Sequence, residues 1–68
     1  MKQIQRKRLK LGMTQADLAG ALGVDPSTVA KWESEKAYPR ADLLPKIARL
    51  LGCTIDELYA DEPEKEEG

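Results

Sequence analysis

A chain of 68 residues suffices for one domain near the lower size limit for folding on hydrophobic burial alone. Hydrophobic residues make up 41% of it, but the only aromatics are Trp32, Tyr38 and Tyr59, so Leu, Ile, Val and Ala must fill the core. No histidine and one cysteine exclude an internal disulfide, an ordinary zinc site and imidazole acid–base chemistry. The basic start, residues 1–13, lacks the apolar stretch of a signal peptide or membrane span. These features predict a cytoplasmic protein with no cofactor and no metal.

The formal net charge of −1 hides an asymmetry. Residues 1–52 carry ten Lys/Arg against five Asp/Glu, a net +5, and residues 53–68 carry one Lys against seven acids, a net −6. A basic body followed by an acidic end is the pattern that bears on partners.

Residues 2–11 read as a first helix. Ile4, Arg8 and Leu11 recur at i, i+4 and i+7 with Leu9 beside them, while Lys2, Arg6, Lys7 and Lys10 lie mostly on the other sides. Arg8 interrupts an otherwise apolar stripe.

The stretch from Gln15 to Trp32, QADLAGALGVDPSTVAKW, reads as two short helices joined at Gly23. Thr14 is suited to cap the first, with Asp17 at the capping-box position. Leu18, Ala19 and Leu22 form its inward face. Gly23 tolerates positive φ and can end the helix. Asp25 can cap the second helix, with Pro26 at a first position that needs no amide. Val29 and Trp32 point that helix inward, and Val24 joins them in the wedge. Ser27, Thr28 and Lys31 give it a polar outer face. This is a helix-turn-helix pattern, with a polar face suited to nucleic acid; an ordinary helical hairpin shares the turn and the spacing, but not that face.

Ser34–Arg40 is a connector stopped by Pro39, with Tyr38 packing under it or facing a second subunit. Residues 41–51 read as a fourth helix with Leu43, Leu44, Ile47, Leu50 and Leu51 on its apolar face. Pro45 is compatible with it if Asp42 caps, which places Pro45 at N3 and the regular start near Leu43. Gly52 closes the helix. Thr54 and Glu57 form a second capping box opening a last helix, from which Ile55, Leu58 and Tyr59 return to the core or form a subunit contact. Cys53 is expected to be a buried, inert thiol. The domain is read as residues 1–60, with 61–68 as an acidic disordered tail.

The segment KRLKLGMTQADLAGALGVDPSTVAKWE, continued by KAYP and IARLLGCTIDELY, resembles the Cro/C1-type (Xre) helix-turn-helix family, similar to the N-terminal domains of lambdoid phage repressors. The resemblance covers nearly everything from Ile4 to Tyr59. It implies an all-α, compact five-helix bundle of the lambda-repressor-like DNA-binding type, with the motif formed by helices 2 and 3. It also implies a bacterial or phage-encoded, nucleoid-associated regulator of transcription, most simply a repressor, dimeric at least on a double-stranded DNA operator.

The resemblance assigns roles by position. Base reading falls on Pro26, Ser27 and Lys31: Lys31 can donate to guanine O6 and N7, Ser27 can serve either base type, and Pro26 offers only apolar contact, as with a thymine methyl. Gln15 matches a phosphate-binding glutamine, with Thr14, Thr28, Lys36 and Arg40 as further phosphate contacts. Arg8 and Glu33 match a structural ion pair tying helix 1 to helix 3. Relatives often carry glycine where this chain has Glu35, so that position either avoids left-handed geometry or accepts strain. The dimer surface falls in the last helix and the loop before it.

A second class of function is a protein-interaction module, such as the antitoxin of a toxin–antitoxin pair, with the acidic end suited to a basic protein partner or to screening the DNA face. An enzyme is a third class. No pair of groups has the spacing for nucleophilic or metal chemistry.

Overall fold

The computed structural model describes residues 1–60; the acidic tail expected at 61–68 lies outside the described residues. Its helices are α1 (Lys2–Lys10), α2 (Gln15–Leu22), α3 (Pro26–Glu33), α4 (Leu44–Leu51) and α5 (Ile55–Leu58), with a 3₁₀ turn at Ala41–Leu43, and no strand among the described residues. α2 packs on α3, and α1 crosses behind to touch α3, α4 and α5. The result is an all-helical bundle around Met1, Ile4, Leu18, Val29, Trp32, Ile47, Leu51 and Leu58.

Local chemistry sets most of the boundaries. At α2 the Asp17 amide donates to Thr14 Oγ1 at 2.9 Å, and the Thr14 amide donates to Asp17 Oδ2 at 2.8 Å. Thr54 and Glu57 repeat this reciprocal pair at α5, at 3.1 and 2.8 Å. Gly23 ends α2 at φ 73°, which lets the Val24 amide reach back to the Ala19 carbonyl at 3.0 Å. Leu18 and Ala19 are buried where α2 meets α3, and Leu22 and Val24 are half-buried.

α1 departs from its expected stripe. Ile4 and Arg8 are buried, but Leu9 is 60% and Leu11 55% exposed. α1 stops at Lys10 and the chain turns at Gly12, so Leu11 leaves the helical phase before it can point inward. Leu9 sits more than a third of a turn away from Ile4. Met1, at the other end of α1, joins the core instead: its side chain is fully buried and its amino group donates to the Trp32 carbonyl.

The connector after α3 accepts strain. Glu35 sits at φ 67°, the left-handed conformation that favours glycine. In return, the Lys36 amide reaches the Lys31 carbonyl at 2.9 Å and the Glu35 amide reaches that of Trp32 at 3.2 Å. This is the two-bond Schellman closure of a helix end.

The fourth helix starts later than expected. The Leu43 amide bonds the Arg40 carbonyl at 3.0 Å, closing a 3₁₀ turn, and α4 begins at Leu44 with Leu43 at the cap position. Asp42 caps nothing, and its carboxylate lies 3.4 Å from Arg40 Nε instead. Pro45 is therefore the second helical residue rather than the third, still where no intrahelical amide is needed. Ile47, Ala48 and Leu51 face inward, while Leu50, expected on the apolar face, is 39% exposed. In α5 Leu58 is buried and Ile55 half-buried, but Tyr59 is exposed. Cys53 is half-buried rather than buried, and that burial pushes its thiol up, towards the protonated form.

Candidate nucleic-acid interface

The back of α3 is held by a buried charge cluster. Arg8 Nε donates to Glu33 Oε2 at 2.7 Å and Nη2 to Oε1 at 2.9 Å, a two-pronged pair, while Nη1 donates to the Met13 carbonyl at 2.8 Å. Those Glu33 bonds raise the already high Arg8 pKa further, against an opposing desolvation. Gln15 Nε2 adds a third donor to Glu33, at 3.0 Å from Oε1. One carboxylate at the end of α3 thus fixes α1 and the first residue of α2, and Arg8 in turn holds the loop between them.

The front of α3 is open. Pro26, Ser27 and Lys31 are exposed and Thr28 is half-buried. Asp25 opens the helix: Oδ2 accepts the Ser27 amide at 3.0 Å and the Ser27 hydroxyl at 2.6 Å. The Ser27 hydroxyl bond, then its amide bond, hold the Asp25 carboxyl below its ordinary range, with a smaller pull from the Lys31 ammonium.

Beside this face lies a groove of about 430 Å³. Trp32 and Leu43 floor it, and Thr28, Lys31, Tyr38 and Arg40 line its sides. The fold thus gathers three of the sequence-predicted residues, Thr28, Lys31 and Arg40, around one depression. Arg40 is exposed and its pairing with Asp42 is open to water, so that pair does little to withhold its charge. Lys36 is exposed on the same connector, and its amide is bonded to the Lys31 carbonyl. Gln15 begins α2, where unbonded amides and the positive dipole end favour an anion, but one of its own donors is turned to Glu33. Thr14 sits beside it, with its oxygen occupied by the cap. No three His, Cys, Asp or Glu side chains among the described residues form a metal-binding group.

A helix-turn-helix family model matches residues 4–58. The chain belongs to the Cro/C1-type helix-turn-helix family. It is 38% identical over 60 residues to the HTH-type transcriptional activator BcrR of Enterococcus faecalis, covering 88% of this chain and 29% of that protein. It is 43% identical over 54 residues to endothelial differentiation-related factor 1 of Rattus norvegicus, covering 79% of this chain and 36% of that protein. An uncharacterized HTH-type transcriptional regulator of Archaeoglobus fulgidus is 36% identical over 63 residues, covering 93% of this chain and 90% of its own length. The chain spans about a third of the first two relatives. No solved structure matches it.

The family is one of DNA-binding transcription regulators, which is not an enzyme class. No helix among the described residues is long and apolar enough to cross a membrane.

Two features of the site escaped sequence reasoning. The bond from Gln15 to Glu33 links positions 18 residues apart, and no local pattern signals it. The Asp25–Ser27 hydroxyl bond is different, because Asp-Pro-Ser at the start of a helix puts the hydroxyl within reach of the capping carboxylate. That signal was present in the sequence.

Proposed function

We propose that this protein is a sequence-specific regulator of transcription that lays α3 in the major groove of double-stranded DNA and acts as a homodimer on its operator. The observation that carries this reading is the contrast across α3: an uncovered outer face at Pro26, Ser27 and Lys31 on a helix whose back is fixed by the Arg8–Glu33–Gln15 cluster. A reading helix has to be exposed yet held in one orientation, because base edges are recognised over fractions of an ångström.

Affinity comes from phosphates, through Gln15 and Thr14 at the start of α2 and through Thr28, Lys36 and Arg40 along and beyond α3. Specificity comes from the outer face, with Lys31 donating to guanine and Pro26 touching a thymine methyl. One such domain reads few bases, so two copies on half-sites one helical turn apart are needed. The exposed Tyr59 lies just past α5, and the last helix with the loop before it is the region we assign to the dimer contact. Repression by occupancy needs nothing beyond the bound domain, whereas activation needs a further contact, so repression is the simpler reading. The place of action is then the nucleoid, in the cytoplasm.

The test is equilibrium binding to duplex DNA across a salt series, with sedimentation of the protein alone and on selected DNA. The expected result is a steep fall of affinity with salt and two copies per site. Salt-insensitive binding, or none, overturns DNA recognition; one copy per selected site overturns the dimer.

A further inference from the structure

The outer face of α3 divides into a donor half and an acceptor half, and the acceptor half is fixed by a residue that has so far served only as a cap. The Asp25 carboxylate is exposed, and its bonds to Ser27 keep it ionised at neutral pH, so it can only accept. The 2.6 Å contact between Ser27 Oγ and Asp25 Oδ2 therefore has one polarity: the serine hydroxyl donates its only proton to the carboxylate. What remains on this corner is acceptors alone, the lone pairs of Ser27 Oγ and the second Asp25 oxygen, Oδ1, which takes no bond from any described residue. Four residues on, one turn of helix away, Lys31 supplies donors.

The four bases answer an acceptor-only corner differently. In the major groove guanine shows N7 and O6, both acceptors, and thymine shows O4, also an acceptor. Adenine shows a donor at N6 but an acceptor at N7 beside it. Cytosine alone shows a donor, the N4 amino group, with no acceptor on the same base. A carboxylate set against N7, O6 or O4 is repelled and left without the water it gave up.

We infer that Asp25 and Ser27 act as one base-reading unit that selects cytosine in each half-site, with Asp25 the specificity-determining residue because it removes the donor capacity of Ser27. This rests on the DNA-binding reading above and names the base that one corner of that site takes. Asp25 has an opposing effect on general affinity, since its negative charge is repelled by the phosphates that Lys36 and Arg40 attract.

The experiment is selection of bound duplexes from a random pool by the full chain and by two variants, with melting curves to establish that each variant is folded. S27A keeps the Asp25 cap on the residue 27 amide and deletes only the hydroxyl. D25N keeps a good capping side chain but removes the charge and supplies a donor. The position at which S27A changes the selected base defines the contact.

At that position the unmodified chain is expected to select cytosine, and S27A to weaken the preference about five- to tenfold. D25N is expected to abolish the cytosine preference while binding random duplex a few-fold more tightly, a combination that mere loss of a cap does not produce. Guanine, thymine or adenine at the contact, no position that responds to S27A, or a cytosine preference that survives D25N overturns the inference. A pool with no enriched sequence even for the unmodified chain overturns the DNA-reading proposal itself, and is thereby distinguished from failure of this one.

Discussion

The two faces of α3 are built from different physics. Its back, Val29, Trp32 and Glu33, is buried and spends its polar groups on the protein's own donors. Its front, Pro26, Ser27 and Lys31, is exposed. Eight residues thus carry both the part of the fold least tolerant of change and the part most open to it. The separation makes a claim: damage at the back should appear as lost stability, and damage at the front as lost recognition.

The largest expected effect is at the back. Arg8→Ala leaves Glu33 buried with one side-chain donor, Gln15, in place of three. Stranding one partner of a buried pair is expected to cost about 3–5 kcal/mol, a large fraction of the stability of a domain this small. Urea denaturation followed by circular dichroism measures it. Replacing both partners with apolar side chains, Arg8→Met with Glu33→Leu, should cost much less, because no charge is then left behind. Equal losses in the single and double variants would mean that the pair's net attraction, not the stranded charge, carries the penalty.

How much of this was legible in the sequence depends on range. Thr14–Asp17, Thr54–Glu57, Gly23 and Asp25 were readable as helix ends because each acts on an amide or carbonyl within a few residues. The inward turn expected of Leu11 and Leu50 was not, since it depends on where each helix stops and on what packs beyond it. Met1 is fully buried although the periodicity did not single it out. Pro45 was placed one residue late because a 3₁₀ turn, which has no strong sequence signature, precedes α4. For the site, resemblance supplied positions but not polarity. A serine in a sequence is both donor and acceptor, and only the neighbouring carboxylate settles which of the two Ser27 presents.

At the front, Lys31→Ala is expected to weaken binding to a selected site by about 1–3 kcal/mol while leaving both the melting temperature and random-duplex binding nearly unchanged. Competition binding on the two DNAs makes the comparison. Equal loss on both would move Lys31 from base reading to a phosphate contact and blur the front's role.

Glu35 sharpens the contrast from the helix end. Its left-handed backbone is a conformation in which a Cβ costs roughly 1–2 kcal/mol, partly offset because glycine loses more entropy on folding. Glu35→Gly is therefore expected to raise stability by about 1 kcal/mol with DNA affinity little changed. Thermal unfolding reads the first quantity and anisotropy titration the second. A variant that loses stability would show that the Glu35 side chain contributes more than its backbone strain takes away.

The smallest effect concerns pH and separates the helix caps from the buried pair. Backbone bonding to Thr14 lowers the Asp17 carboxyl, bonding to the Thr54 amide lowers that of Glu57, and bonding to the Ser27 hydroxyl lowers that of Asp25. A carboxyl whose folded pKa lies below its unfolded value stabilises the fold above the unfolded value and loses that contribution as pH falls through the folded one. The ordinary values are 3.8 for the two aspartates and 4.5 for Glu57, so all three caps hold at neutral pH and weaken below about pH 4. Asp17→Asn and Glu57→Gln should each flatten the acid limb of stability against pH slightly, with no change in DNA binding at neutral pH. Asp25→Asn should flatten it as well, but it alone should also change which DNA is bound. That single variant should touch both stability and recognition, because Asp25 caps α3 and belongs to the proposed base-reading corner.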